Sequence, residues 1–193
     1  FFLCPFPDRN NDIGFQLAPR INAAGRVDYG IKVVELLTTE SSEIAERIAQ
    51  ELEAHNQERR AIEAEVLRHA LAQAEAAIAA GHRSSLVLAG AGWHPGVLGI
   101  VASRVVERFY RPTVVIGFND GAGKGSARSI RGFHMVDGLG RCAASLEKFG
   151  GHEYAAGLSI KPDQLEDFSA AFENAARQML SLEQLSPLLE IDA

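Results

Sequence analysis

The stretch Gly150-Gly151-His152-Glu153-Tyr154-Ala155-Ala156-Gly157 joins a glycine pair to a histidine and a run of small residues. Paired glycines let the backbone pass very close to another group. The histidine brings a hydrogen-bond donor and an acceptor near neutral pH. Ala155, Ala156 and Gly157 then leave room for a neighbour of some size. Glycine-lined backbone, one polar side chain and a cleared floor suit a phosphate or nucleotide, which makes Gly150, Gly151 and His152 candidate binding residues. A tight turn into a strand, with a hydrogen-bonded histidine, would use the same residues.

A second stretch, Gly123-Lys124-Gly125-Ser126-Ala127-Arg128-Ser129, carries the stronger anion signal. On a strand, Ser126 and Arg128 project to one face, and Lys124 joins them if the strand begins that early. A hydroxyl and a guanidinium two residues apart can grip a terminal phosphate together. The segment is not a P-loop, because Lys124 is followed by Gly125 and Phe118 stands where the first glycine belongs. A charged strand that resists aggregation is the alternative.

In the third stretch, Gly92-Trp93-His94-Pro95-Gly96, a strand gives way to a helix. Pro95 fits a first helical turn, whose amides near Val97 and Leu98 could face an anion. His94 could add a hydrogen bond and Trp93 a stacking face. A structural turn with Trp93 in the core is the reading these residues favour when taken alone.

Other chemistries find little support. Catalytic metal sites need grouped carboxylates and histidines, and the chain has no Asp-His-His, His-x-x-x-His or Asp-x-Asp. His55, His69, His82 and His134 are isolated, and no Ser/His/Asp set is indicated. Cys4 and Cys142 form no Cys-x-x-Cys pair, which fits a reduced, cytoplasmic compartment. No apolar run reaches the roughly 18 residues of a membrane span, and Phe1-Phe2-Leu3 lacks the features of a signal peptide. Neither end reads as a natural boundary, as though the chain were a fragment. The net charge of −6 argues against a protein that coats nucleic acid generally. Yet Arg111, Lys124, Arg128, Arg131, Arg141, Lys148 and Lys161 make the second half locally basic, compatible with a groove for an anionic chain.

These residues need a scaffold, and the 193-residue chain, 47% hydrophobic, can bury one. A short helix is expected over 31–37. Ser41 or Ser42 then caps a long amphipathic helix ending near Gly81, with a break or bend expected at 55–60 where His55-Asn56-Gln57-Glu58-Arg59-Arg60 interrupts the apolar stripe. Strands are expected at 85–89, 113–118, 125–130 and 154–160, with helices at 97–110, 135–148 and 162–180. The pattern is α/β: a small mixed β-sheet domain flanked by helices, preceded by a long connecting helix. The 113–130 pair, joined by a turn at 119–123, is antiparallel.

The motifs also resemble a known family. Gly14-Phe15-Gln16-Leu17-Ala18-Pro19-Arg20-Ile21-Asn22-Ala23-Ala24-Gly25-Arg26 looks like the segment closing the catalytic domain of RecJ nucleases. The run Gly92 to Arg104 resembles the start of their DHH-associated domain, and the Gly123 and Gly150 motifs resemble two more of its signatures. Ala127 and His134 depart from the family pattern, which often has glycine and an acidic residue there. RecJ is a 5′→3′ exonuclease of the DHH phosphoesterase superfamily, specific for single-stranded DNA. The resemblance implies that residues 1–40 are the end of a DHH catalytic domain, 41–83 a connecting helix and 84–181 the DHH-associated substrate-binding domain. It implies that 182–193 begin an oligonucleotide-binding barrel. It further implies that Ser126 and Arg128 recognise the 5′ phosphate and that His152 is catalytic, contacting substrate phosphate near the metals. His94, Lys124 and Arg26 become further cleft contacts. Mn2+ or Mg2+ would be bound by the DHH domain of the parent enzyme, with none in this fragment, which alone would be inactive. The partner implied is single-stranded DNA with a 5′ phosphate, in recombination and repair, with no membrane. The alternative within the superfamily is a phosphodiesterase acting on cyclic dinucleotides or short oligonucleotides, which shares the Gly-Gly-His motif.

Overall fold

The computed structural model describes residues 18, 21, 22, 30–81 and 84–187, and divides into two units, Phe1–Ile62 and Glu63–Ala193. In the first, α1 (Gly30–Thr38) and the opening turns of α2 (Ser42–Ala79) contribute a small apolar cluster in which Val33 and Leu36 pack on Ile48 and Leu52. Ser41 caps α2 through the Ile44 amide, at 3.4 Å. Lys32 and Arg47 both bond the Glu51 carboxylate, and the Lys32 bond, more than any other influence, holds that carboxyl below its ordinary range.

α2 is one uninterrupted helix, without the break expected at 55–60. The residues there are polar but mostly good helix formers. Asn56 is buried and accepts from Arg59 one turn on, at 3.1 Å, and Gln57 donates to Glu53. Polarity interrupted the apolar stripe without interrupting the helical hydrogen bonds.

The second unit is built on a five-stranded sheet of order β1-β2-β3-β5-β4: β1 (Leu86–Ala91), β2 (Thr113–Asn119), β3 (Ala122–Arg128), β4 (Lys148–Gly151) and β5 (Ala155–Ile160). β1 and β2 run parallel, connected by α3 (Pro95–Phe109), and all other pairs are antiparallel. The mixed sheet with flanking helices is therefore as the sequence indicated, but several boundaries differ. The β2–β3 turn needs only Asp120 and Gly121, both with positive φ (50° and 77°), so β3 starts at Ala122 and ends at Arg128 instead of spanning 125–130. Positive φ at both central residues is the primed hairpin turn that matches strand twist.

The helix expected over 135–148 stops early. α4 covers only Met135–Gly140, followed by a 3₁₀ turn at Ala143–Ser145 and then β4. Gly138 and Gly140 weaken helix continuation, and Gly138 is fixed by packing, since a Cβ there would stand 2.3 Å from the Phe133 ring. The final helix also starts later, with a 3₁₀ turn at Pro162–Gln164 leading into α5 (Leu165–Met179).

α5 and α4 cover one sheet face. Val114, Ile116, Ala127, Ala156, Leu158 and Ile160 meet Phe168 and Phe172 of α5 and Met135 and Leu139 of α4 in the main core. α3 covers the other face over β2 and β3. The outer edge of β1 is closed by Gln73 of α2, which donates to the Ala89 carbonyl at 2.8 Å and accepts from its amide at 3.0 Å, as a strand would. β4 forms the opposite edge.

Candidate nucleic-acid interface

Because β3 begins at Ala122, its alternation puts Lys124, Ser126 and Arg128 on the α3 face, while Gly123, Gly125 and buried Ala127 turn towards the core. Gly125 is a glycine for packing reasons, as a Cβ would stand 2.8 Å from Leu158. Arg128 Nη1 donates to the Ser126 hydroxyl at 3.1 Å and to the Ala127 carbonyl at 2.8 Å. The guanidinium is thus folded back over its own strand, beside the hydroxyl. Gly99 of α3 lies directly above: a Cβ there would be 2.8 Å from Arg128 Nη2 and 3.1 Å from Ser126 Oγ. A half-buried guanidinium and hydroxyl held together under a helix make a compact site for an anionic oxygen cluster.

The registers extend this face across two more strands. Ser126 lies opposite Gly157, and Gly157 opposite Gly150; Lys124 lies opposite Ser159, and Ser159 opposite Lys148. α3 does not reach this far, and Gly150, Gly157 and Lys148 are exposed. The result is an open depression of about 420 Å³ between Pro95 and Leu98 of α3 and the β4 edge. A Cβ on Gly150 would meet nothing within 4 Å, and one on Gly157 only the Gly125 carbonyl at 3.8 Å. Neither glycine has a positive φ. Nothing within the described residues requires them. Gly151 is different, with φ 153° and a virtual Cβ 2.3 Å from the Ala155 carbonyl, so the turn itself requires glycine there.

His152 sits in the β4–β5 turn, where its amide donates to the Ala155 carbonyl at 2.8 Å while its side chain is exposed. Ala155 is in turn the register partner of Arg128. Arg128 and His152, singled out in separate segments, thus lie at the same end of the sheet, on either side of Ala155.

The Trp93-His94 segment is a structural turn. Trp93 is 6% exposed, and its indole covers Gly90 while its carbonyl covers Gly117, so it offers no stacking face. His94 caps α3, its Nδ1 accepting from the Gly96 amide at 3.1 Å, and the Val97 amide bonds the His94 carbonyl. The Gly96 and Val97 amides are satisfied internally and do not await an anion. His94 and Pro95 stay exposed at the rim of the depression.

The basic residues are also divided. Arg111 donates to the carbonyls of Phe109, Tyr110 and Leu185, and burial lowers its pKa, partly offset by Glu173. Arg141 bonds Gln178 of α5. Both serve the fold. His134 caps α4 at the Asp137 amide. Arg26, Cys4 and His82 lie outside the described residues, as do most of the Gly14–Arg26 motif and the tail from Leu188. Among the described residues no group of three or more His, Cys, Asp and Glu is placed to hold a metal ion. No described helix is long and apolar enough to cross a membrane.

Sequence reasoning missed Gly99 and Ser159, and counted Lys148 among the basic residues without placing it on this face. Alternation from Gly150 would have placed Lys148 on the open face, had β4 been read as a strand. Gly99 carried no signal beyond being a glycine inside a helix, which costs about 1 kcal/mol relative to alanine and so calls for a packing reason.

The DHHA1 domain matches residues 82–178, half of the chain and the whole sheet. The chain belongs to the DHHA1 domain family. Its curated relatives are RecJ proteins, each named single-stranded-DNA-specific exonuclease. That of Bacillus subtilis is 41% identical over 182 residues, covering 93% of this chain and 23% of the relative. That of Escherichia coli is 41% identical over 181 residues, covering 88% and 31%. The chain therefore spans a quarter to a third of these relatives. Thermus thermophilus RecJ in complex with Mg2+ superposes with a TM-score of 0.78 at 34% identity, over 86% of this chain and 26% of that one. An exonuclease RecJ bound to manganese matches with a TM-score of 0.75 at 33% identity, over 90% and 44%. The DHHA1 domain here thus has the RecJ fold.

Proposed function

We propose that this chain is the substrate-binding part of a RecJ-type 5′→3′ exonuclease acting on single-stranded DNA in recombination and repair. The observation that carries this reading is the open floor of Gly150 and Gly157, glycines that the described fold does not require, running beside the Ser126–Arg128 pair. An exposed glycine in a strand weakens it, and close approach of an external backbone accounts for that cost. In this reading Ser126 and Arg128 hold the 5′ phosphate. His152, exposed at the same end of the sheet, contacts phosphate nearer the reacting centre, with Lys124 and His94 on the rim and Arg26 as a further contact.

The names of the relatives, and the matched RecJ structures carrying Mg2+ or Mn2+, support phosphodiester hydrolysis with a divalent ion in the parent protein. A DHH domain would supply that ion's ligands. On this reading residues 1–40 close that domain, 41–83 connect, 84–181 bind substrate and 182–193 begin a barrel, and the chain alone does not cleave DNA. The free thiol of Cys142 suits a cytoplasmic setting.

The test is the affinity of the chain for 5′-phosphorylated and 5′-hydroxyl strands, before and after Arg128→Ala. A hydrogen bond to a charged group is worth about 1.5–3 kcal/mol, so the variant should lose roughly one to two decades on the phosphorylated strand and much less on the hydroxyl strand. Equal losses on both would leave Arg128 as a general groove contact.

A further inference from the structure

Lys124 and Lys148 stand in one row across three strands, with Ser159 between them. Cross-strand spacing puts their Cα atoms roughly 10 Å apart, within reach of one another's anions on their long stems. Both are exposed, and neither side chain has an ion pair or hydrogen bond among the described residues. The row contains no carboxylate: it continues on the other side of Lys124 to Gly117, and Glu147 alternates to the opposite face. At about one Debye length the two like charges repel only weakly.

A lysine on an edge strand guards against aggregation, and that would explain Lys148 on β4. It does not explain Lys124, because β3 is paired on both sides, with β2 and β5. Both lysines and Ser159 line the same depression as Ser126 and Gly157. Along β3, Lys124 is four residues from Arg128, about 13 Å at strand spacing. One phosphate group cannot span that distance. An extended polymer of phosphates can.

We infer that Lys124, Ser159 and Lys148 form a second phosphate clamp, which holds an internucleotide phosphate downstream of the one at Ser126–Arg128. The inference rests on the proposal that Arg128 holds the 5′ phosphate, and it adds a direction: the strand crosses the sheet face from Arg128 towards Lys124, over the Gly157–Gly150 floor. The clamp makes affinity depend on strand length and on charge at a defined linkage, independently of the terminal phosphate.

The test uses the chain and 5′-phosphorylated oligothymidylates in which one linkage at a time is a neutral methylphosphonate. The wild-type chain should lose roughly tenfold in affinity, the value of one charge-assisted bond, when the neutral linkage is one of those near the 5′ end but not when it is distal. In the Lys124→Gln/Lys148→Gln variant that position-specific loss should vanish. Its logarithmic salt slope should also fall by about 0.7, the value of one neutralised phosphate on a single strand. A wild-type profile flat along the strand, a profile unchanged in the variant, or no binding of these strands at low salt would each overturn the clamp. The same titrations with 5′-hydroxyl strands separate the two readings. Loss of terminal-phosphate discrimination in Arg128→Ala with the linkage profile intact keeps both sites. Absence of that discrimination in the wild type removes the 5′-phosphate reading and leaves the clamp standing on its linkage profile.

Discussion

Gly99 of α3 faces the guanidinium of Arg128 across a gap too small for a methyl group: a Cβ would stand 2.8 Å from Nη2. The nearest atoms are the far end of a flexible side chain, so the chain can accommodate alanine by moving Arg128. Gly99→Ala should therefore leave the melting temperature unchanged or raise it, since alanine gains up to about 1 kcal/mol of helix propensity. It should reduce the preference for 5′-phosphorylated strands by disturbing the Ser126–Arg128 pair. Thermal melts with paired titrations of phosphorylated and hydroxyl strands check both halves.

The floor glycines Gly150 and Gly157, compared with their neighbour Gly151, should separate stability from binding. Gly150→Val and Gly157→Val find open space, and should hold or slightly increase stability, as exposed strand glycines cost roughly 0.5–1 kcal/mol relative to alanine. Both should weaken single-stranded DNA binding. Gly151→Val meets the Ala155 carbonyl at a φ of 153° and should destabilise the fold. Denaturant unfolding of the three variants beside their DNA affinities gives the comparison; a large stability loss at Gly157 would assign that glycine to the fold instead of the groove.

His152→Ala should not affect stability, because the turn bond is made by its backbone amide and its side chain is exposed. In a parent nuclease it should slow cleavage of 5′-phosphorylated and 5′-hydroxyl strands alike, in contrast to Arg128→Ala. Single-turnover cleavage of the two strands measures this.

Burial pushes the Cys142 thiol up to about 11 from an ordinary value of 9.0. The folded state then holds its proton more tightly than the unfolded one, so stability falls as pH rises between those values. Cys142→Ala should flatten that alkaline decline in denaturant midpoints. At neutral pH Cys142 should resist alkylation until the chain unfolds, since the thiolate is the reactive form; peptide mass mapping distinguishes it from Cys4.

The sequence was legible where periodicity and turn chemistry agreed. Leu86–Ala89 and Val114–Ile116 are continuous apolar runs, and both lie in strands. Ser126 and Arg128, two residues apart, needed only the strand assignment to be placed on one face. β4 was not legible, because Lys148-Phe149-Gly150-Gly151 has two glycines and no alternation of its own, and gains its form from pairing with β5. The Asp120-Gly121 dipeptide did hold the signal for the tight hairpin and for an earlier β3. Trp93 and His94 were ambiguous in sequence, as burial and capping depend on Gly90, Gly117 and Gly96 around them. The placement of Arg128 and His152 on either side of Ala155 is a matter of register, which no single segment records.

The most direct test of the account is a residue-resolved map of DNA contact on the chain. Amide chemical shifts of the isotopically labelled chain, titrated with a 5′-phosphorylated single strand, should move at Ser126, Arg128, Gly150, Gly157 and Ser159. The amides of Phe168 and Phe172, beneath the opposite sheet face, should stay still. Shifts confined to α5, or a β4–β5 face left unchanged at saturation, would contradict the assignment of this surface as the nucleic-acid interface.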